Sequence, residues 1–251
     1  MNTIYVWGIK FNPLRKTEIV SQVQRGFQMG RRGIHLTGVN PEQVAKSFRD
    51  PLLKEAINDS DIVNIDGILI VWTLRAYGFR IPERAATPDI FELLLREANK
   101  RKQTIFLLGA EETVLQNMIL KIRTEYPDLR IGGFHNGYYR DTEEAAIVKE
   151  IARIAPDYLF LGLPTPQKET FILRYKRELP VGCFYGIGGA FDVKGGKVRR
   201  APQWMQRLGL EWLGRIIQSP KNYGKRMCKY YFPFLNLFIS ELFKKKRWAE
   251  S

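Results

Sequence analysis

The sequence predicts an α/β fold, a mostly parallel sheet covered by helices. Short apolar runs alternate with stretches of helical spacing along most of the chain, which is the pattern of βαβ units. With 45% hydrophobic and 26% charged residues among 251, the chain has enough apolar surface for a sizeable core. Polar and glycine positions fall just after the apolar runs, where open α/β sheets gather their ligands.

Residues 4–9 read as a first strand, and residues 17–29 have helical spacing through Ile19, Val20, Val23 and Phe27. Residues 33–36 form a short strand leading into Thr37-Gly38-Val39-Asn40. Pro41 takes the first helical position, which favours proline, and one helix is expected through residue 56. Residues 61–65 are a buried strand ending at Asp66-Gly67, followed by an apolar helix over 68–77 and a loop with Pro82-Glu83-Arg84. The remainder alternates cleanly: helix 88–100, strand 104–108 ending at Gly109, helix 111–124, strand 130–134, the Asn136-Gly137 turn, helix 143–154, strand 158–161, helix 166–177 and strand 182–185. Residues 186–215 join three close glycines (Gly186, Gly188, Gly189) and Asp192 to a basic belt and an apolar helix with Trp204 and Trp212. At first sight they are the catalytic centre.

The net charge is +14, from 40 basic and 26 acidic residues. That surplus predicts an anionic partner: nucleic acid, an anionic membrane or a phosphorylated substrate. From Arg199 onward twelve basic residues face three acidic ones, so +9 of the charge sits in the last fifth. Cys183 and Cys228 have neither ligand nor disulfide spacing, which fits a reducing cytoplasm. The N-terminus lacks signal-peptide character. No segment approaches the roughly 20 apolar residues of a membrane span; the nearest, 230–239, is interrupted by Pro233 and Asn236.

Asp66 ends an apolar strand at the sheet rim. It suits either general-base work in a partly dry environment or a helix N-cap. Asp59-Ser60-Asp61 has the D-x-D spacing of metal–nucleotide sites but precedes its strand, so a solvated loop is expected. Gly186-Ile187-Gly188-Gly189 lacks the full dinucleotide fingerprint; it reads as a bare-backbone approach to phosphate or sugar or as a plain turn. His35 and His135 read as packing or turn residues, and no metal is expected. In the tail, Tyr223, Lys225, Arg226, Lys229 to Phe232, Phe234, Phe238 and residues 243–248 interleave aromatics with cations. That suits segments lying in an anionic membrane interface; the alternatives are nucleic-acid binding and plain packing.

Asn40-Pro41-Glu42, Asp66-Gly67, Pro82-Glu83-Arg84, Gly137-Tyr138 and, most specific, GIGGAFDVKGGKVRRAPQWMQRLGLEWLGR at 186–215 resemble the WecG/TagA/CpsF family of bacterial glycosyltransferases over nearly the whole chain. The resemblance implies a Rossmann-like, mostly parallel sheet with helices on both faces over residues 1–198. Residues 199–251 would be a basic, amphipathic helical, membrane-associating appendage. It further implies inverting transfer from a UDP-sugar to an undecaprenyl-diphosphate-linked sugar, peripherally at the cytoplasmic membrane face, without metal or cofactor and with self-association. The sugar is left as a hexose or hexose derivative.

Carried over by motif, Asp66 is the base, Arg84 lies near the nucleotide diphosphate, and Asn40 and Asp192 belong to the pocket. Arg215, Lys225 and Arg226 would hold the lipid diphosphate, with Arg200 and Arg207 of the basic belt beside them. Thr37, Gly109, Asn136, Gln167, Lys168 and Gly188 complete the expected substrate contacts on the rim. The chain departs from the family twice. The family usually reads Thr-x-Asn, whereas Thr37-Gly38-Val39-Asn40 has one more residue, so whether Thr37 reaches the pocket is open. It also usually reads Pro-x-Gln-Glu, whereas here Pro166-Gln167-Lys168-Glu169 leaves Gln167 or Lys168 for the glutamine role. A basic nucleic-acid binder and a non-catalytic nucleotide-sugar-binding subunit are the rival readings.

Overall fold

In the computed structural model, residues 3–207 and 209–242 are described, without the side chains of Arg207, Asn222, Glu241 and Leu242. Leu208 and the tail residues Phe243, Lys244 to Arg247 and Trp248 lie outside the described residues.

Six strands form one parallel sheet: β3 (Ile34–Val39), β4 (Ile62–Ile65), β5 (Thr104–Gly109), β6 (Arg130–His135), β7 (Tyr158–Gly162) and β8 (Cys183–Gly186), in the order β4-β3-β8-β7-β5-β6. Their side chains alternate between two helix layers, as the strand period of two requires. Tyr158 and Phe160 join one core with residues of α1 (Lys16–Gln28), α5 (Thr87–Lys100) and α6 (Glu112–Glu125). Leu159 and Leu161 face α7 (Asp141–Ile154) and α8 (Gln167–Tyr175) on the other side. Near-continuous apolar strands are what a sheet buried on both faces needs.

Three local expectations change. Residues 4–9 are not one strand. They begin a hairpin of β1 (Ile4–Val6) and β2 (Ile9–Phe11), outside the main sheet. Trp7 and Gly8 turn the chain at φ 56° and 70°, the double left-handed geometry of a tight two-residue hairpin. The helix expected over 41–56 is broken into α2 (Pro41–Ser47) and α3 (Pro51–Asn58). Pro51 cannot continue a helix, and Asp50 caps the new one by accepting from Leu53 N at 3.0 Å. The third strand runs on through Val39, because Thr37 pairs with Val63 on one side and Gly186 on the other.

Asp59-Ser60-Asp61 lies at the amino end of the sheet, but it is tied down rather than solvated. Asp59 pairs with Lys176, Ser60 is fully buried, and Asp61 accepts from His35 N at 2.9 Å. The His35 ring is itself fully buried. Burial, helped by Lys176 and Lys10, pushes its pKa from 6.5 down to about 3. The folded chain therefore holds a neutral imidazole that the unfolded chain protonates below pH 6.5, so stability falls as pH drops from 6.5 towards 3. The expected slope is about 1.4 kcal/mol per pH unit. Urea titrations of His35→Leu beside the parent check this: the variant should lose that much slope across the window.

The chain leaves β8 through α9 (Ala190–Gly195), then α10 (Gln203–Arg207), α11 (Glu211–Gln218), α12 (Pro220–Arg226), a π-helical turn (Met227–Tyr231) and α13 (Phe232–Leu242). These last helices pack back onto the body. Phe234 is 2% exposed in a third core with Trp7, Phe11 and apolar residues of α2 to α4. Here α4 is Ile68–Ala76. Trp204, Ile217, Phe232, Leu235 and Ile239 point outward. No helix among the described residues is long and apolar enough to cross a membrane.

Candidate active site

A cavity of about 840 Å³ opens at the carboxyl ends of the strands. Its floor comes from the turns after β3, β4, β7 and β8, at Asn40, Asp66, Thr165 and Gly186 to Ala190. Glu211, Trp212, Arg215, Tyr223 and Arg226 of the C-terminal helices form its far wall. The volume lies in the range that holds a drug- or nucleotide-sized ligand.

Asp66 lines the cavity, and its role at a helix end differs from a plain cap. Gly67, not Asp66, is the N-cap of α4. The carboxylate reaches across to α5 instead, where Oδ1 accepts from Thr87 N at 2.9 Å. Among the described residues Oδ2 has no hydrogen-bond partner. One oxygen anchors the group while the other is free for a proton. Arg84 Nε donates to the Asp66 carbonyl at 2.6 Å, which binds the guanidinium to the same strand end. Asn40 is fixed as the N-cap of α2: Oδ1 accepts from Glu42 N at 2.9 Å and Gln43 N at 3.4 Å. Its amide NH₂ is the edge left for a ligand.

Gln167 and Lys168 both line the cavity. The Lys168 stem lies over Gly186, where an added Cβ would meet its Cδ at 3.1 Å. The buried ammonium is neutralised: it donates to Glu169 and to Thr165 Oγ1. Glu169 also accepts from Thr165 at 3.0 Å and Gln43 at 3.3 Å. Gly188 and Asp192 lie on the same floor, and burial holds the Asp192 carboxyl above its usual value.

Five expected contacts lie elsewhere. Thr37 is fully buried within β3, because its ladder pairing points the hydroxyl into the core. Gly109 packs its backbone against Gly162, where a Cβ would come within 2.4 Å, and Ala110 touches the cavity in its place. Asn136 donates to Glu112 at 3.0 Å and accepts from Tyr138 N at 2.9 Å, leaving Gly137 and Tyr138 on the cavity. Arg200 turns to Asp89 and Glu211. Lys225 is exposed and off the wall. The Arg207 side chain lies outside the described residues.

Arg215 and Arg226 do line the cavity. Burial alone would weaken the hold of Arg215 on its proton, but Tyr223, at 3.2 Å, and Glu211 outweigh it. Arg226 is half-buried, which works the same way, and its pairing with Glu42 prevails. Burial would raise the Glu42 carboxyl; Arg226 and Lys46, the latter at 2.8 Å, hold it down. Sequence reasoning named Glu42 within a family motif and Tyr223 within the aromatic, cationic tail but gave neither a place in the site, and it did not single out Glu211 or Lys46. The i,i+4 spacings Glu211/Arg215 and Glu42/Lys46 were the signals for those two.

A sequence model of the "Glycosyl transferase WecG/TagA/CpsF family" matches residues 4–248. Three similar relatives bear the name N-acetylglucosaminyldiphosphoundecaprenol N-acetyl-beta-D-mannosaminyltransferase. The Bacillus subtilis strain 168 protein is 36% identical over 227 residues, 90% of this chain and 88% of its own length. The Bacillus spizizenii W23 protein is 30% identical over the same shares. The Staphylococcus aureus MW2 protein is 25% identical over 243 residues, 96% of this chain and 92% of its own length. The match spans the sheet, the cavity floor and the C-terminal wall alike, and the chain belongs to the WecG/TagA/CpsF family of glycosyl transferases.

Proposed function

We propose that the protein is an inverting glycosyltransferase that moves a hexose or hexose derivative from a UDP-sugar to a sugar linked to undecaprenyl diphosphate. It would work peripherally at the cytoplasmic membrane face, in surface-polysaccharide assembly. The observation that carries this reading is one cavity holding a carboxylate with an unbonded oxygen, Asp66, beside Arg84, Arg215 and Arg226. In the reaction, Asp66 takes the proton of the acceptor hydroxyl as that oxygen attacks the anomeric carbon. The bond from that carbon to the UDP oxygen breaks on the opposite face, Arg84 receives the negative charge of the departing UDP, and Arg215 and Arg226 hold the diphosphate of the lipid acceptor. The relatives' name supplies the acceptor class, an undecaprenol carrying a diphosphate-linked amino sugar. Trp204, Ile217, Phe232, Leu235 and Ile239 on the C-terminal helices favour contact with a lipid surface.

A nucleic-acid binder would keep its cations free for phosphates. Here Arg84, Arg200, Arg215 and Arg226 are engaged by internal carboxylates around a cavity. The test is a donor screen: UDP-hexoses and UDP-N-acetylhexosamines against a lipid-diphosphate-linked amino-sugar analogue, with products identified by mass. One donor should add a single sugar and release UDP. Binding of UDP without product from any donor would favour the non-catalytic subunit instead.

A further inference from the structure

Glu211 opens α11 with a carboxylate only 5% exposed. Three guanidiniums surround it. Arg84 approaches Oε2 at 2.9 Å, Arg200 donates to Oε1 at 3.4 Å, and Arg215 stands 3.6 Å from the same oxygen. Arg84 and Arg215 line the cavity as well. One negative charge thus faces three positive ones. The contacts at 3.4 and 3.6 Å are longer than those of the bidentate fork that locks arginine to carboxylate. Each guanidinium has five N–H donors, so donors remain for a second anion.

The three arginines reach this point from different parts of the chain. Arg84 sits in the loop between α4 and α5 and is bonded to the Asp66 carbonyl at the end of β4. Arg200 and Arg215 belong to the C-terminal segment. Arg200 also pairs with Asp89 on α5, and Asp89 holds Lys16 at the start of α1 at 3.1 Å. Glu211 is therefore the node where the Asp66 strand end, helix α5 and the C-terminal wall meet. Arg200 is a strut of that node rather than a cavity ligand. Burial works against the ionised Glu211, and Arg84, Arg215 and Arg200 together outweigh it. Without that charge, three cations would repel one another at short range.

We propose that Glu211 is a positioning residue: it holds Arg84 and Arg215 side by side and ties the C-terminal wall to the Asp66 strand end, so that a substrate diphosphate meets both guanidiniums at once. The diphosphate as ligand rests on the function proposed above.

Glu211→Gln keeps the shape of the side chain and removes its charge. With inorganic pyrophosphate as the probe, calorimetry should show affinity weakened roughly tenfold, the scale of a lost charged hydrogen bond. In the transfer assay KM for the lipid acceptor should rise by a similar factor while kcat stays within about threefold. Amide exchange should quicken over residues 199–226 and stay unchanged in the sheet. Glu211→Asp should recover most of the affinity. Arg200→Gln removes a strut without touching the cavity wall, so it should give a smaller shift in the same direction; it decides the matter if Glu211→Gln does not fold. The proposal is overturned if the parent binds no pyrophosphate or if Glu211→Gln leaves its affinity unchanged. Tighter binding by that variant, which would make Glu211 a mere competing anion, overturns it too. So does a loss confined to kcat. A parent that binds pyrophosphate in a Glu211-dependent way, yet transfers no sugar from any donor, sinks the transferase reading and leaves this role standing.

Discussion

Asp66→Asn is expected to cut turnover by at least about 100-fold, the usual scale for loss of a general base. The melting temperature should stay within about 3 °C of the parent, a shift of roughly 1 kcal/mol or less in a chain of this size. The geometry separates the two effects. The oxygen that anchors Asp66 accepts from Thr87 N at the start of α5, and an asparagine carbonyl accepts the same bond. The Arg84 contact is to the Asp66 backbone carbonyl and does not depend on the side chain. What asparagine cannot do is take the acceptor's proton on the other atom, which it fills with an NH₂ donor. UDP affinity, measured on the same sample, should therefore stay near the parent's while kcat falls. Near-normal turnover in the variant would remove Asp66 from the mechanism. A collapse in melting temperature would instead make the α5 anchor its main task.

The sheet was legible in the sequence because its strands are buried on both faces and read as unbroken apolar runs between helical stretches. The rim was legible for the same reason: Asn40, Asp66, Gln167, Gly188 and Asp192 each follow such a run, and all line one cavity. Thr37 shows where this reasoning stops. Its position relative to the strand end was known only to within a few residues, and a strand longer by three turned an expected pocket residue into a core one. Arg200 marks a second limit. Charge density along the chain does not say which cations face an internal carboxylate, and Asp89 lies more than a hundred residues away in sequence. The stretch 186–215 is sharpened in the same way. Its glycines and Asp192 form cavity floor and its Glu211 and Arg215 form the opposite wall, while the proposed base comes from elsewhere.

Phe234→Ala is expected to have the second large effect, and on both stability and transfer. The aromatic-rich tail reads from sequence as an appendage, yet Phe234 is 2% exposed and its ring meets Trp7 edge-on at 5.4 Å. Trp7 in turn meets Phe11 at 6.4 Å and Tyr77 at 5.9 Å, and the Tyr77 hydroxyl donates to the Phe238 carbonyl at 3.3 Å. Truncating a fully buried phenylalanine costs about 3–5 kcal/mol when the structure cannot collapse around the hole. Here the helix has another option: α13 can lift off once its anchor is gone, so the docking energy of that helix caps the loss. Helix α13 continues from α12 through the π-helical turn, so lifting it pulls Arg226 away from Glu42 and from the cavity wall. Amide exchange over residues 227–242 should rise towards that of an unpacked helix. Transfer should fall roughly tenfold or more through KM for the lipid acceptor, as expected when binding groups are displaced and the chemistry at Asp66 is not. Phe234→Leu, which refills most of the volume, should keep exchange and KM near the parent's. If Phe234→Ala instead leaves both exchange and transfer unchanged, the C-terminal helices do not need this contact to build the wall, and the cations on it must be held from the Glu211 side alone.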